Sequence, residues 1–436
     1  MRTLPNITMP KAADADTPGA PPEAPASTPG PRRWPGREIL DTPETARVLH
    51  AAWSGDPAVI VPSPPGAGKT RLVALLAAAL AHRADLRIGI AAQTREQAVE
   101  IARRLGALSD LAKLAWSARN GQPDSGGTPH VSGARVRFPD ATGGIIIATT
   151  ARWLYADPDQ IGCDLMIIDE AWQATYADLG ALGAYARQIV CVGDPGQIDP
   201  VVTGATSRWQ SMSTAPHLPA PEALRAAHGN NIGVVTLRHT WRLGPATTAL
   251  IQPAFYPALP FTSRRPAEHL TGRDGQLPEI SHQPITVTAG PGDPALVTAC
   301  ADRIGQLLAT TLTTSGGRRP VTAADLAVVC AHVSQAAAVR ASLADLPDLL
   351  VGTANQLQGL ERHAVVVLHP LAGYRDANAF TADTGRACVM LSRHRAHLSV
   401  ILDTATPAVL TTADPATPGI TSHRALTQAL LATSTT

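Results

Sequence analysis

Eight residues near the start of the chain have the composition and spacing of a phosphate-binding loop. Residues 63–70 read Ser-Pro-Pro-Gly-Ala-Gly-Lys-Thr and lie between an apolar run at 58–61 and a Leu/Ala-rich segment at 70–83. Small residues between a strand and a helix let backbone N–H groups turn inward around an anion, at a helix N-terminus whose partial positive charge favours it. We therefore expect a nucleotide to be bound by Pro65, Gly66, Ala67, Gly68, Lys69 and Thr70.

Two residues of this loop carry separate chemistry. Lys69 is expected to reach the β- and γ-phosphates, and the Thr70 hydroxyl is expected to ligate Mg²⁺. Lysine occurs only at positions 11, 69 and 113, which makes Lys69 conspicuous. The standard pattern begins with glycine, and Ser63 occupies that place here.

A second apolar run ends in two adjacent carboxylates. Residues 165–172 read Leu-Met-Ile-Ile-Asp-Glu-Ala-Trp. At the carboxyl end of a buried strand, one carboxylate can hold Mg²⁺ while its neighbour orients and deprotonates the attacking water. We assign Asp169 to the metal and Glu170 to the base, an arrangement that favours hydrolysis of a nucleoside triphosphate over transfer to a small acceptor.

A third apolar run, at 188–194, is followed by a tight loop that contains Gln197. The amide of Gln197 can hydrogen-bond both a γ-phosphate and the catalytic water, so we expect this loop to respond to the state of the nucleotide. The Gly-Asp-Pro-Gly sequence alone is also typical of an ordinary turn.

These positions belong to a repeating alternation of strand-like and helix-like segments. The strand-like runs form two series, at 58–61, 86–92, 143–150, 164–170 and 188–194, and then at 231–237, 326–332, 349–355, 364–369 and 397–402. Continuous apolar runs without alternation are typical of strands buried on both faces of a parallel sheet. The sequence therefore predicts an α/β fold of two tandem doubly wound parallel-sheet domains.

Composition predicts where these domains begin and end. Residues 1–40 are rich in Pro and Ala, and residues 409–436 in Thr, Pro and Ala. Neither stretch buries enough apolar area to offset its ordering entropy, so both are predicted to be disordered tails. We place the first domain at 41–208, a linker at 209–230 and the second domain at 231–408.

Overall composition excludes several classes of protein. Of the 436 residues 44% are hydrophobic and 16% charged, which excludes a wholly disordered or coiled-coil chain. The net charge of +1 provides no global field toward a polyanion, so nucleic-acid binding requires a local basic track. The five cysteines are widely separated and predict buried reduced thiols without structural zinc. No apolar run reaches 18 residues, so we expect a cytoplasmic protein without membrane contact.

Taken together, the motifs resemble those of superfamily 1 helicases. The phosphate loop, the Ile-Ile-Asp-Glu segment and the Val-Gly-Asp-Pro-Gly-Gln segment match the first motor domain of that family. In the second half, residues 237–245 with the later Phe255-Tyr256 pair, residues 351–361 and residues 386–393 resemble its Y-R-x-x-P, Q-G-x-E and V-A-x-[ST]-R motifs. The resemblance covers about residues 40–405 and is closest to the branch typified by the nonsense-mediated-decay helicase, which moves 5′ to 3′.

The resemblance implies two RecA-like domains with ATP in the cleft between them. Arg242 and Arg393 match the family's arginines that complete the site from the second domain, and arginine fingers of this kind contribute on the order of 10³–10⁵ in rate. Gly359 and Glu361 are expected to approach the nucleotide from the same side. Closure on ATP and opening after hydrolysis would then produce a step along a strand.

Two departures from the family concern the base of the nucleotide. Glu44 stands where the family has a Gln that reads adenine, and an ionised Glu accepts hydrogen bonds but cannot donate one. Trp241 replaces the usual Tyr, which retains a stacking face and loses the hydroxyl. The expected cofactors are therefore ATP or another nucleoside triphosphate, together with Mg²⁺.

The family also uses small hydroxyl and amide groups at strand ends to hold the phosphates of a nucleic acid. The matching residues are Thr94, Thr149, Thr150, Gln335 and Thr353. Such contacts position a strand without reading its sequence.

The sequence thus predicts a nucleic-acid-dependent NTPase that acts as a translocase or helicase on single-stranded DNA or RNA. A protein partner is compatible with this prediction. The main alternative is an NTP-driven switch that couples the same cleft to a protein partner without translocation. A small-molecule kinase that shares only the phosphate loop is disfavoured by the motifs of the second half, and an inactive pseudo-enzyme is disfavoured because every catalytic position is filled.

Overall fold

The computed structural model describes residues 34–140 and 142–435. Most of the predicted N-terminal tail, residues 1–33, lies outside the described residues. The rest forms two lobes, each built on a parallel sheet with helices on its faces. This architecture confirms the predicted tandem RecA-like α/β fold.

The first lobe contains an eight-stranded sheet in the order β4-β3-β5-β2-β6-β7-β1-β8, with every pairing parallel. Its strands are β1 (Ala58–Pro62), β2 (Arg87–Ala92), β3 (Ala112–Ala115), β4 (His130–Val131), β5 (Gly144–Thr149), β6 (Leu165–Ile168), β7 (Ile189–Gly193) and β8 (Gly233–Val234). Its helices are α1 (Pro43–Ser54), α2 (Lys69–Arg83), α3 (Arg95–Gly106), α4 (Thr150–Trp153), α5 (Pro158–Ile161), α6 (Tyr176–Leu182) and α7 (Ala220–His228).

The second lobe contains a six-stranded sheet in the order β17-β16-β18-β19-β13-β20, again wholly parallel. A two-stranded pair β9–β10 and a small antiparallel sheet β12-β11-β14-β15 accompany it. The strands are β9 (His239–Thr240), β10 (Thr262–Ser263), β11 (His269–Gly272), β12 (Gly275–Gln276), β13 (Ile280–Ile285), β14 (Thr311–Thr314), β15 (Gly317–Pro320), β16 (Leu326–Cys330), β17 (Leu350–Thr353), β18 (Arg362–Leu368), β19 (His394–Asp403) and β20 (Ser434–Thr435).

The remaining helices are α8 (Pro245–Phe255), α9 (Pro294–Leu308), α10 (Val333–Ser342), α11 (Ala354–Leu357), α12 (Thr384–Leu391), α13 (Thr406–Thr412) and α14 (Ile420–Leu431). Short 3-10 turns lie at Arg37–Leu40, Ala118–Asn120, Gly133–Arg135, Ala171–Gln173, Ser207–Trp209, Gly229–Asn231, Gly290–Gly292 and Ala323–Asp325.

Helix α2 illustrates how the first core is built. Its positions from Leu72 to Ala81 are all buried. A helix that is apolar on every side is stable only inside the protein. Because α2 begins at the phosphate loop, this burial fixes the position of the loop.

The first lobe extends further at both ends than the predicted 41–208. Residues Arg37–Leu40 form a turn in which Ile39 is buried, so the N-terminal tail ends before residue 40. The predicted linker 209–230 contains α7, whose Ala220 and Leu224 belong to the first lobe's core. The run at 231–237, which we expected in the second domain, contributes β8, and β8 pairs with β1.

The prediction of a disordered C-terminal tail at 409–436 is wrong. This stretch contains most of α13, all of α14 and the short strand β20. Leu426 and Leu430 of α14 are buried in the main core of the second lobe. Thr and Ala dominate the composition, but Ile420, Leu426 and Leu430 of α14 are buried against the rest of the lobe.

Candidate nucleotide site

The phosphate loop has the backbone shape that its sequence predicts. Gly66 and Gly68 have φ angles of 72° and 85°, in the left-handed region that favours glycine. Ser63, the departure from the standard pattern, is fully buried, and its hydroxyl donates a hydrogen bond to the Gly193 carbonyl at 2.7 Å. The serine therefore ties the start of the loop to the end of the neighbouring strand β7.

Lys69 is held between two carboxylates. Its Nζ lies 3.6 Å from Oε1 of Glu170 and 3.8 Å from Oδ2 of Asp194. The lysine side chain is only 8% exposed, so an uncompensated charge here would be costly. The structure thus brings together two predicted residues, Lys69 and Glu170, and adds Asp194, to which we had assigned no role.

Asp169 and Thr70 have the chemistry that a divalent cation requires. Asp169 is 1% exposed. Its burial, together with the charge of Glu170, raises its pKa to about 7 against the opposing effects of Lys69 and a hydrogen bond with Thr70. A buried carboxylate after strand β6 and a hydroxyl in the first turn of α2 match the oxygen ligands that Mg²⁺ prefers.

The backbone at Glu170 is strained. Its φ of 50° places this residue in the left-handed region, which side chains other than glycine rarely occupy. Strain of this kind collects at functional sites, where the surrounding structure enforces it. The conformation directs the chain from β6 into the turn Ala171–Gln173 and leaves the Glu170 side chain beside Lys69.

The second lobe packs directly on the phosphate loop. The Thr240 hydroxyl donates to the Pro65 carbonyl at 2.7 Å, and the Trp241 N–H donates to the Gly66 carbonyl at 2.9 Å. A side chain at Gly66 would collide with Arg242. Arg242 therefore lies against the loop, while Trp241 beside it is 49% exposed.

Arg393 is a buried cation without a carboxylate partner. It is 2% exposed, and its guanidinium donates to the Val389 carbonyl at 3.1 Å and to the Ser392 hydroxyl at 2.9 Å. Among the described residues no carboxylate lies within 4.0 Å of it. Burial, reinforced by the neighbouring charge of Arg242, lowers its pKa to about 10. An anion in the cleft would relieve this unfavourable environment.

Glu361, which was predicted to approach the nucleotide, bonds two arginines. Its carboxylate accepts a hydrogen bond from Nε of Arg242 at 2.5 Å and another from Arg395 at 3.1 Å. The two guanidinium groups outweigh the effect of burial and lower the pKa of Glu361. Glu361 therefore orients Arg242 and keeps its own negative charge.

Gln197 connects the two lobes. Its amide nitrogen donates to Asp194 at 2.6 Å, and its amide oxygen accepts from Gln358 of the second lobe at 3.1 Å. Gly359 and Glu44 are the other two residues predicted to contact the nucleotide. Gly359 lies on an exposed loop, and Glu44 is half-buried in the first turn of α1, close enough for its charge to act on His239.

The five residues predicted to contact nucleic acid all lie at helix N-termini, at or after the carboxyl ends of strands. Thr94, Thr149 and Thr353 are N-caps whose hydroxyls accept backbone N–H groups of their own helices. The Thr150 hydroxyl bonds the Ala92 carbonyl at 3.4 Å, and the Gln335 amide donates to Pro291 at 3.0 Å. Thr94 is exposed and Thr149 half-buried, whereas the other three are buried with partners inside the chain.

The cysteines and the potential metal ligands of the described residues form no second site. All five cysteines are free thiols in buried positions. Within residues 34–140 and 142–435 no three His, Cys, Asp or Glu side chains are grouped so that they could hold a metal ion. In the same part of the chain, no helix is both long and apolar enough to span a bilayer.

Sequence reasoning missed three residues that the structure brings into the site. Asp194 was visible as the polar residue that ends strand-like run 188–194, the same signal that identified Asp169. Tyr256 was noted only as part of the Phe255-Tyr256 pair, and Arg395 gave no signal, because their contacts, with Asp194 and with Glu361, join residues far apart in the chain.

The fold and the loop define the class: a phosphate-loop protein with two RecA-like lobes that meet at the loop. Residues 42–222 match the family model described as AAA domain, which covers less than half of the chain and includes both the phosphate loop and the Asp169–Glu170 pair. No curated protein matches the sequence.

Three solved structures of viral helicases are similar. The PRRSV helicase has a TM-score of 0.42 at 16% identity over 82% of this chain. Two structures of arterivirus nonstructural protein 10, a helicase, have TM-scores of 0.45 and 0.44 at 14% and 15% identity over 81% of this chain, the second in a complex with DNA. The chain spans 54%, 61% and 62% of the length of these structures.

Proposed function

We propose that this protein is a nucleic-acid-dependent NTPase of the superfamily 1 helicase type, which hydrolyses ATP or another nucleoside triphosphate and moves along single-stranded DNA or RNA. The observation that carries the proposal is the convergence of Lys69, Arg242 and Arg393, from two lobes, around one phosphate loop. Arg393 has no carboxylate partner within 4.0 Å in the described part of the chain, and the charges of Arg242, Asp194 and Glu170 act on it, so an anionic ligand in the cleft best accounts for its burial there.

The residues divide the chemistry among them. Lys69 and the N-terminus of α2 would hold the β- and γ-phosphates. Glu170 would orient the attacking water and accept its proton. Arg242 and Arg393 would stabilise the charge that develops on the transferred phosphoryl group, and Glu361 would keep Arg242 in place through their hydrogen bond.

The Thr70 hydroxyl and the Asp169 carboxylate would hold Mg²⁺, directly or through water. The cation would neutralise phosphate charge when bound. The buried carboxyl of Asp169, in contact with Thr70, fits this role.

For the nucleic acid, Thr94 and Thr149 are the predicted contacts with the best access. Their strands β2 and β5 are neighbours in one parallel sheet, so both residues lie at the same edge. A hydroxyl that accepts a capping N–H can still donate to a phosphate oxygen. Thr150, Gln335 and Thr353 would have to exchange internal hydrogen bonds for such a contact.

Because Thr150, Gln335 and Thr353 already form hydrogen bonds within the chain, one alternative is favoured, an NTP-driven switch that acts on a protein partner. In that case the cleft would hydrolyse nucleotide and change the contact between the lobes, but no strand would pass over them. Gln197, which bonds Asp194 in one lobe and Gln358 in the other, would serve either function.

Steady-state NTPase assays with and without poly(dT) or poly(U) separate these proposals. We expect hydrolysis that a single-stranded polymer stimulates and that Lys69→Ala or Glu170→Gln reduces by roughly 10²–10⁴. Lys113→Ala, in strand β3 away from the loop, is the matched control and should retain full activity. Rates indifferent to either polymer would favour the switch, and an absence of hydrolysis with every nucleotide would refute both.

A further inference from the structure

The carboxylate of Asp194 lies between Tyr256 of the second lobe and Lys69 of the phosphate loop. Oδ1 accepts the Gly196 N–H at 3.0 Å and the Tyr256 hydroxyl at 2.8 Å. Oδ2 accepts the Gln197 amide at 2.6 Å and lies 3.8 Å from Nζ of Lys69. Asp194 is 1% exposed, so these four groups together must compensate its charge.

Tyr256 is fixed so that its hydroxyl points at this carboxylate. It follows the last residue of α8, is 2% exposed, and packs edge-on against Phe261 with ring centroids 5.4 Å apart. On the other side its ring lies against Gly196, where even a Cβ would collide with the ring and the hydroxyl. Glycine at position 196 therefore allows the Tyr256 ring to approach the backbone closely.

The hydroxyl of Tyr256 remains a donor at every physiological pH. Burial, reinforced by the charge of Asp194, raises its pKa well above 10. Its other neighbour is the Cys388 sulfur at 3.1 Å, and thiols are weak donors and acceptors. The strong partner of the hydroxyl is therefore Asp194.

From this geometry we infer that Tyr256 is a positioning residue: its hydrogen bond to Asp194 keeps that carboxylate from pairing fully with Lys69 and so leaves the lysine free to bind nucleotide phosphate. A buried carboxylate that loses one donor recovers the lost stabilisation from its nearest cation. Here that cation is Lys69, 3.8 Å away. The inference rests on the proposed nucleotide site and specifies how the second lobe controls it.

Tyr256→Phe tests this inference, because it removes only the hydroxyl and retains the ring against Gly196. A hydrogen bond to a charged group has a magnitude that corresponds to roughly tenfold or more in an equilibrium. We expect the KM for nucleotide to rise about tenfold while kcat changes less than about threefold. A tyrosine with a merely structural role would alter the melting temperature and leave KM unchanged.

Tyr185→Phe is the matched control, since Tyr185 is also buried and donates to main-chain carbonyls at 2.6 and 2.8 Å, within the first lobe. It should leave KM unaltered. In the Asp194→Asn background, Tyr256→Phe should have little further effect on KM. Additive effects of the two substitutions, or an unaltered KM in Tyr256→Phe, would overturn the inference.

Hydrogen exchange provides a readout independent of catalysis. In protein without added nucleotide, Tyr256→Phe should speed amide exchange in segment 194–198 by about tenfold, because the Gly196 N–H is bonded to the same carboxylate oxygen. If the wild type hydrolyses nucleotide but exchange in this segment is the same in both proteins, the inference about Tyr256 fails alone. If the wild type hydrolyses no nucleotide, the proposed function fails and the exchange result still decides whether Tyr256 holds Asp194.

Discussion

Replacing Arg393 with methionine should abolish hydrolysis without destabilising the protein. The arginine is 2% exposed, and no described carboxylate lies within 4.0 Å of it. It also lies close enough to Arg242, Asp194 and Glu170 for their charges to act on it, so we attribute its charge to the binding of an anion in the cleft. Methionine fills a similar volume without the charge.

The size of the effect on stability follows from the pKa of Arg393. Its fall from 12.5 to about 10 corresponds to a cost of about 3 kcal/mol for keeping the guanidinium protonated in the folded state. Methionine removes that cost but also removes the hydrogen bonds to Val389 and Ser392, each of about 0.5–1.5 kcal/mol. We therefore expect the free energy of unfolding to stay the same or rise by about 1 kcal/mol.

In contrast to stability, the rate of hydrolysis is expected to fall sharply. Loss of an arginine finger lowers kcat on the order of 10³-fold or more. Urea unfolding monitored by circular dichroism gives the stability, and a steady-state NTPase assay gives kcat for the same preparation.

Arg303→Met is the matched control. Arg303 is also buried without a carboxylate partner within 4.0 Å among the described residues, but it lies in α9 and bonds Ser399 at 3.0 Å and Gln306 at 2.8 Å. Its replacement should leave kcat intact. Unfolding of Arg393→Met that is easier by more than about 2 kcal/mol, combined with kcat above one-tenth of the wild-type value, would refute the assignment of Arg393.

Two further predictions concern stability. Leu430→Ala should lower the free energy of unfolding by about 2–4 kcal/mol in a urea titration, because Leu430 is fully buried in the core of the second lobe. An unaltered free energy of unfolding would instead support the prediction that residues 409–436 form a disordered tail. Glu268→Gln should lower the free energy of unfolding at pH 7 by roughly 2–3 kcal/mol. Burial opposes ionisation of Glu268, but His363, 3.4 Å away, and the hydrogen bonds from Arg395 outweigh it and lower its pKa to about 2. This stabilisation is complete above the unfolded pKa of about 4.5 and is lost as pH falls through about 2, so wild type and variant should converge in acid-unfolding titrations; a difference constant with pH would contradict the ionic origin.

The parts of the site that sequence predicted are those built from consecutive residues. The phosphate loop and the Asp169–Glu170 pair each occupy one strand-to-loop junction, where local spacing already places the functional groups. Their apolar flanks are buried because both faces of the sheet are covered. For such segments the local pattern and the tertiary environment agree.

Domain limits could not be predicted in the same way. Strand β8 comprises two residues and joins the first sheet only because its backbone reaches the edge strand β1. Helix α14 lies in a Thr/Ala-rich segment, and its leucines matter only because α8 and β13 provide a surface for them. Composition measures average apolarity, whereas burial depends on whether a few apolar residues find a partner.

The threonines proposed to contact nucleic acid reveal an ambiguity in the sequence signal itself. A threonine between a strand and a helix is favoured as an N-cap, and the same position at the carboxyl edge of a parallel sheet suits a phosphate contact. Thr94 and Thr353 are both caps in capping boxes, yet only Thr94 is exposed. Accessibility, which the sequence does not contain, is what distinguishes them.

The charge environment of Lys69 is a second property that the local sequence does not contain. The lysine lies in a motif that sequence identifies at once, but the group that governs its charge environment is a tyrosine 187 positions away, reached through Asp194. Arg242 is likewise oriented by Glu361, which is shared with Arg395. In both cases a cation beside the phosphate loop is held by a carboxylate that also bonds a second partner. Asp194 bonds Tyr256 across the two lobes, whereas Glu361 and both of its arginine partners lie in the second lobe. A movement between the lobes therefore alters the partners of Asp194 and carries Arg242 and Glu361 together relative to the loop, which is the property that a nucleotide-driven motor or switch requires.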